Sequence, residues 1–240
     1  MPSAFRVRKL DPSTALRASE PGSLPEMGAV ESVLSKAFAG DLFSAIVTGH
    51  DPKADDMSYI GPFWVSTVVA GLLGGEVWVA ETDNTEKKII GCAVWFRPGH
   101  TMYDSEDQQK YSLGPLMAGF TDELKHWWIA AFLPQYEVVL TSALGEGTKH
   151  NSWHLQTLAV DPEYQRKGAA RSLVNAIVEK ASQTGSMLCV EVGNETNLEI
   201  YGKLGFEIMP KGKARDDSKA VYTGLNGNSF SMWVMARDTK

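Results

Sequence analysis

The sequence has few cysteines and no long apolar run. Only two of its 240 residues are cysteine, Cys92 and Cys189, and each lies in an apolar, strand-like stretch. Two thiols cannot build the disulfide framework of small secreted domains, so we expect a reducing, cytoplasmic environment. The N-terminus lacks the apolar core of a secretory leader, and the longest apolar stretch, around residues 63–73, is too short to span a bilayer. We therefore expect no membrane partner.

The sequence also lacks an excess of positive charge. Its formal net charge is −6 and its pI is near 5.4, whereas nucleic-acid-binding surfaces are basic. The five histidines are scattered, and none stands at a spacing typical of metal ligands. We expect neither a nucleic-acid partner nor a metal cofactor, and we expect a small-molecule substrate.

The pattern of apolar residues predicts a mixed α/β protein. Strands are predicted at residues 5–10, 76–81 and 89–96, and helices around residues 27–38 and 63–73. Residues 97–149 are rich in aromatic side chains and mostly helical in pattern. No repeat, low-complexity tract or linker divides the chain. The sequence predicts one domain over residues 1–240, with helices on both faces of a mixed sheet and a helical insertion at about 97–149.

The last third of the sequence carries the clearest pattern. A strand at residues 153–160 is followed by a loop and by an apolar stripe at helical spacing. A continuous apolar strand follows at 187–192. A short helix then begins at a predicted capping box, Thr196 with Glu199, and ends at Gly205. Further strands at 206–209 and 230–236 complete a sheet of about seven strands.

The loop after strand 153–160 has the composition of a phosphate-binding turn. The small residues Gly168, Ala169 and Ala170 stand at a helix start, where unpaired N–H groups and the positive end of the helix dipole favour an anion. Three cations flank them: Arg166, Lys167 and Arg171. An ordinary turn with a solvated basic helix start has the same composition. The loop is neither a Walker loop nor the dinucleotide fingerprint.

Two blocks of residues resemble a known family. Gln165-x-x-Gly168-x-Ala170, after a strand ending in Asp161-Pro162, is similar to the acetyl-CoA signature of the GNAT N-acetyltransferase superfamily. About thirty residues further on, the segment 194–206 resembles the second block of that superfamily. The resemblance implies a GNAT-like sheet splayed between its fourth and fifth strands. It also implies transfer of an acetyl group from acetyl-CoA to the primary amine of a small molecule. A peptide or protein acceptor, or a CoA-binding sensor module without catalysis, stays open as an alternative.

The resemblance also implies roles for individual residues. The pantetheine arm of acetyl-CoA would pair with the strand backbone, and the pyrophosphate would lie on the amides of the loop. Asn194 would bond to the pantetheine arm or order its loop. Tyr201 would donate a proton to the departing CoA thiolate, although a core tyrosine with an exposed hydroxyl would fit the same place. The implied cosubstrate-binding residues are Leu158, Ala159, Val160, Gln165, Arg166, Lys167, Gly168, Ala169, Ala170, Arg171, Asn194 and Tyr201.

The base that takes the proton of the amine has several candidates. His154 and Gln156 are two apart on one strand and should share a face. This segment resembles that of arylalkylamine N-acetyltransferases, which carry histidines at both places, so Gln156 removes one of a possible pair. His154 alone, Glu191 in its apolar strand, or a water relay without a strong base all stay open.

Aromatic residues of the insertion have two interpretations. Trp127, Trp128, Phe132 and Tyr136 either wall the acceptor pocket or bury the insertion against the sheet. Their helical spacing favours the second interpretation. The sequence leaves the oligomeric state open between monomer and homodimer.

Overall fold

A single open sheet organises the chain in the computed structural model, which describes residues 5–13, 25–54 and 56–239. Its strands lie in the order β1-β2-β3-β4-β5-β8-β6, with β7 also paired to β8. Eight strands are seen in these residues where about seven were predicted. Their bounds are Phe5–Lys9 (β1), Glu76–Thr82 (β2), Ile89–Phe96 (β3), Trp153–Val160 (β4), Leu188–Val192 (β5), Glu207–Ile208 (β6), Ala220–Thr223 (β7) and Ser229–Arg237 (β8).

The sheet opens between β4 and β5, as the sequence predicted. This pair is parallel and is registered at only two positions, Trp153 with Leu188 and His154 with Cys189. The neighbouring pairs β3/β4 and β5/β8 are antiparallel and run along most of each strand. The two central strands therefore diverge toward their carboxyl ends and leave a wedge between them.

A bulge in β4 lies at the point of divergence. Val94 pairs with Thr157 and the next residue of β3, Trp95, pairs with Leu155, so Gln156 is the extra residue. Leu155 packs in the core on one face, whereas the Thr157 hydroxyl lies 2.8 Å from the Thr67 hydroxyl on the opposite face. Side chains two apart here project to opposite faces. Strict alternation therefore does not hold across this bulge, and a shared face for His154 and Gln156 stays a prediction.

Helices cover both faces of the sheet and form one apolar core with each. One face carries α1 (Pro25–Ala37), α2 (Leu42–Val47), α3 (Ile60–Gly74) and the insertion. The other face carries α6 (Ala169–Thr184) and α7 (Glu195–Lys203). On α6, Leu173, Val174 and Ile177 are fully buried, because they form the apolar stripe seen in the sequence.

The insertion consists of two long helices. The first, α4 (106–118), comprises Glu106–Gln108, a π turn at Gln109–Leu113, and Gly114–Ala118. The second, α5 (122–144), comprises Asp122–Trp127, a π turn at Trp128–Phe132, and Leu133–Leu144. Such π turns widen a helix locally and re-aim its side chains.

Aromatic side chains of α5 anchor the insertion to the rest of the molecule. Trp127, Trp128 and Phe132 are buried in the core beneath it. Trp127 Nε1 donates to the Thr223 carbonyl at 3.0 Å, and Trp128 Nε1 donates to the Val47 carbonyl at 2.7 Å. The core interpretation therefore holds for these three residues, while Tyr136 is only partly buried.

The start of α7 differs from its prediction. Asn194, not Thr196, is the N-cap residue, and its side-chain oxygen accepts from the Asn197 amide at 2.9 Å. Gly205, just after the helix, has φ of 89°, in agreement with its predicted role at the C-terminal end. In the described part of the chain, no helix has the length and apolarity needed to cross a membrane.

Candidate active site

The loop between β4 and α6 is a tight turn that is hydrogen-bonded to the end of β4. The Gln165 side chain donates to the Val160 carbonyl at 3.2 Å and so ties the loop to the end of β4. Arg166 and Gly168 both have positive φ, of 59° and 93°. Gly168 adopts this left-handed conformation without the steric cost that a side chain brings.

The start of α6 is open to an anion. Gly168 is the N-cap residue and offers no side chain to the first amides of this 16-residue helix. Gly168 is exposed, and the small side chains of Ala169 and Ala170 leave the backbone approachable. Lys167 and Arg171 are exposed beside it and reach the carbonyls of Glu163 and Lys203 at 2.9 Å and 2.8 Å. The local geometry is that of an anion-binding helix terminus.

The end of β4 lines the wedge of the sheet. On one side, Leu158, Ala159 and Val160 are paired with β3 through Ala93, Cys92 and Gly91. Their other side faces the wedge, since the registered pairs with β5 stop at His154. An extended polar chain could add hydrogen bonds to this edge as another strand would.

A buried polar network lies where β4 and β5 begin to diverge. His154 on β4 is 2% exposed, and its Nε2 is 2.7 Å from Glu191 Oε2 on β5. Lys149, from the turn after α5, places its Nζ 3.3 Å from Glu191 Oε1 and donates to the Tyr136 hydroxyl. Four segments of the chain therefore meet at the carboxylate of Glu191.

Burial and charge set the protonation states of this network. Burial opposes ionisation of Glu191, but the charges of His154 and Lys149 and their contacts hold its pKa well below the usual range. Burial lowers the pKa of His154, and the charge of Lys149 lowers it further, against the opposing effect of Glu191. At neutral pH the pair is a carboxylate beside a neutral imidazole.

These states fix the tautomer of His154. An ionised carboxylate can only accept hydrogen bonds, so the proton of the imidazole lies on Nε2 and is donated to Glu191. Nδ1 then carries the lone pair. The arrangement orients an imidazole base through a buried carboxylate, as in a catalytic triad.

Tyr201 lies on α7 near the same carboxylate. It is partly buried and packs edge-on against Phe206, with ring centroids 5.7 Å apart. Burial raises its pKa above the ordinary value, and the charge of Glu191 raises it further. The hydroxyl therefore stays protonated and can serve only as a proton donor near neutral pH.

The structure brings together some of the predicted residues and adds Lys149 and Tyr136 to them. His154 and Glu191, considered as separate base candidates, are in direct contact. Asn194 acts at the start of α7, which orders its loop. Lys149 and Tyr136 complete the network. No sequence motif marks Lys149, and Tyr136 was considered only as one of several insertion aromatics.

The described residues offer no cluster of metal ligands. Over residues 5–13, 25–54 and 56–239, no group of three or more His, Cys, Asp or Glu side chains is placed to hold a metal ion. The chemistry that the residues offer is proton transfer and anion binding.

Comparison with known proteins places these features in context. The model of the acetyltransferase (GNAT) family matches residues 53–206. Arylalkylamine N-acetyltransferase 2 from Aedes aegypti is similar with a TM-score of 0.58 and 14% identity, over 98% of this chain and 99% of that one. A polyamine N-acetyltransferase from Drosophila melanogaster is similar with a TM-score of 0.55 and 13% identity, over 98% of this chain and 99% of that one. A putative acetyltransferase of the GNAT family from Desulfovibrio desulfuricans is similar with a TM-score of 0.50 and 14% identity, over 99% of this chain and 100% of that one. At these identities the likenesses show a shared fold.

Proposed function

The chain belongs to the acetyltransferase (GNAT) family and is an acyltransferase, and on that premise we propose that it moves an acetyl group from acetyl-CoA to the primary amine of a small molecule. The observation that carries this proposal is the buried His154–Glu191 pair at the apex of the wedge, 2.7 Å apart. A binding module without catalysis has no need of an oriented imidazole there. The two amine acetyltransferases named above share the fold, which is in keeping with an amine acceptor.

Acetyl-CoA would bind along the wedge and at the start of α6. The open amides after Gly168 and the flanking Lys167 and Arg171 suit the pyrophosphate. The free edge at Leu158, Ala159 and Val160 suits the amide groups of the pantetheine arm. Such binding would direct the thioester toward the apex of the wedge, where His154 lies.

His154 would act as the general base. Its Nδ1 would take a proton from the attacking amine, directly or through one water, while Glu191 holds the ring and stabilises the imidazolium that forms. The amine nitrogen would then bond to the thioester carbonyl carbon. Glu191 thus becomes the orienting partner of the base, and no separate base is needed.

Tyr201 would act as the general acid. When the tetrahedral intermediate collapses, the C–S bond breaks and the electron pair stays on sulfur. A proton from the Tyr201 hydroxyl would neutralise the thiolate as it leaves. His154 would then release its proton to solvent, and solvent would return one proton to the Tyr201 oxygen. The raised pKa of Tyr201 ensures that the proton is present at the start of each turnover.

Acyl transfer to a panel of amines tests the proposal. The protein is supplied with acetyl-CoA, and release of the CoA thiol is measured with arylalkylamines, polyamines and a lysine-containing peptide in turn. We expect release with at least one small amine, abolished by His154→Gln. Calorimetry with CoA provides the control. Tight CoA binding without thiol release from any amine would instead support the sensor module, and release with the peptide alone would support a protein acetyltransferase.

A further inference from the structure

The ammonium of Lys149 sits in surroundings suited to an amine ligand. It lies 3.3 Å from Glu191 Oε1, 4.6 Å from the centroid of the Tyr136 ring, and within hydrogen-bond reach of the Tyr136 hydroxyl. A carboxylate, an aromatic face and a hydroxyl together are a recognition set for a primary ammonium. We call this set, Glu191 with Tyr136, the ammonium box.

The contact between Lys149 and the box is incomplete. Glu191 Oε1 is buried, and the Lys149 ammonium stays 3.3 Å away, outside good hydrogen-bond geometry. Leaving a buried acceptor unsatisfied is costly. An ammonium that is not tethered to the backbone could approach this oxygen more closely than Lys149 does.

A cavity adjoins the box on the side of Lys149. Its volume is about 150 Å³, and its walls include Glu137, Leu140, Thr141 and Lys149 itself. Lys149 lines the cavity and its ammonium contacts Glu191, so this residue links the cavity to the carboxylate. A cavity of roughly this volume holds a molecule the size of benzene. Glu137 adds a second negative charge that favours a cation.

Lys149 is carried by a turn rather than by a helix or strand. The turn between α5 and β4 contains Gly145 and Gly147, with φ of 90° and 70°. The Lys149 side chain is 19% exposed, so its ammonium can move to solvent without crossing the core. Exchange of one cation for another would keep the charge of the buried Glu191 compensated throughout.

We propose that the acceptor binds with its ammonium in the ammonium box, in the place that Lys149 takes in the structure, and with its carbon framework in the adjoining cavity. The proposal rests on the proposed acetyl transfer and names its substrate class as a compact primary amine. Lys149 is then a competitor for the acceptor site that must be displaced before the amine reaches the His154–Glu191 pair.

Binding of phenethylamine to the protein without acetyl-CoA tests this assignment. Lys149→Met removes the competing cation and keeps the apolar stem, so we expect phenethylamine to bind about fivefold more tightly by calorimetry. Glu191→Gln should weaken the binding at least about tenfold, since the ammonium loses its counter-charge. Lys125→Met, on the exposed side of α5, is the matched control and should leave the affinity unchanged. The neutral analogue phenethyl alcohol should bind none of these proteins measurably.

Each other outcome counts against the assignment. If Lys149→Met weakens binding or leaves it unchanged, with a native circular dichroism spectrum, then Lys149 does not occupy the acceptor site. If phenethylamine binds neither the parent protein nor Lys149→Met, the ammonium box is not an acceptor site for compact amines. Both results come from binding alone, so the proposed acetyl transfer can still succeed with other amines, and its failure would leave the binding test intact.

Discussion

His154 is a histidine whose charge is governed by the strands that hold it. It is buried between β4 and β5, with Glu191 on one side and with Lys149 beyond that carboxylate. The charge of the same carboxylate acts on four further groups, Tyr136, Tyr201, Tyr222 and Cys189. For each of these four groups, burial and Glu191 raise the pKa, so they stay protonated and neutral over the range in which His154 titrates. Of the groups named here, only His154 changes its charge in the weakly acidic range.

The pH dependence of turnover follows from the lowered pKa of His154. A base works only while it is neutral, so kcat should be constant near pH 7 and fall as the pH drops through the folded-state pKa. That pKa is below the ordinary 6.5, so the acidic limb should have its midpoint below pH 6.5. Glu191→Gln removes the group that raises this pKa and should move the residual limb to still lower pH. A midpoint above 6.5 in the parent protein, measured at saturating substrates, would contradict the assignment.

A separate prediction at the residue scale concerns the hydroxyl of Tyr201. Tyr201→Phe keeps the ring that packs on Phe206 and removes only the hydroxyl. We expect kcat to fall about 100-fold, because a general acid contributes on that order, while the CoA dissociation constant and the melting temperature stay close to those of the parent. Tyr111→Phe, at an exposed position of the insertion, is the matched control. An unchanged kcat in Tyr201→Phe would remove Tyr201 from the mechanism.

Local sequence signals predicted the start of α6 but neither the bulge in β4 nor the cap of α7. The beginning of α6 follows from Gly168-Ala169-Ala170, because this one segment supplies both the small residues and the glycine that adopts the left-handed conformation. The bulge at Gln156 has no such local signal, since it depends on the register with β3. The cap of α7 was misplaced because Asn194 and Thr196 are both good N-cap residues two positions apart, and the sequence alone does not choose between them.

The start of α6 offers a test at the scale of an element. Gly168 has φ of 93°, and an added Cβ would meet nothing closer than 3.9 Å, so the cost of Gly168→Ala is conformational and not a clash. We expect a loss of about 1–2 kcal/mol in the free energy of unfolding, or a shift of the turn that weakens CoA binding. Thermal unfolding and CoA calorimetry measure the two effects.

The control for this variant is a glycine in ordinary helical conformation. Gly28 lies exposed within α1, and an added Cβ would meet nothing within 4 Å. Gly28→Ala should therefore stabilise the protein by up to about 1 kcal/mol and leave CoA binding unchanged. If the two variants behaved alike, the positive φ of Gly168 would not be what shapes the loop.

At the scale of the whole molecule, the site joins segments that are far apart in the sequence. His154 and Glu191 are 37 residues apart, and Lys149 and Tyr136 come from the insertion. The loop is encoded within one short block, whereas the wedge between β4 and β5 was implied by the resemblance to a family. The meeting of an insertion lysine with a strand carboxylate depends on how α5 packs, which is set by the burial of Trp127, Trp128 and Phe132. No short pattern in the sequence encodes that packing.

The two cysteines report on whether the chain unfolds as one unit, as the prediction of a single domain requires. Cys92 on β3 and Cys189 on β5 are both fully buried, and they lie on either side of the wedge. Burial raises the pKa of Cys92 to about 12 and raises that of Cys189 as well, so neither thiol reacts from the folded state near pH 8. An alkylating reagent should therefore modify both at one rate, which rises with denaturant as global unfolding does. Mass spectrometry of the modified peptides separates the two sites. If Cys189 reacted more than about tenfold faster than Cys92, the β5 side of the sheet would open independently and the chain would comprise two cooperative units.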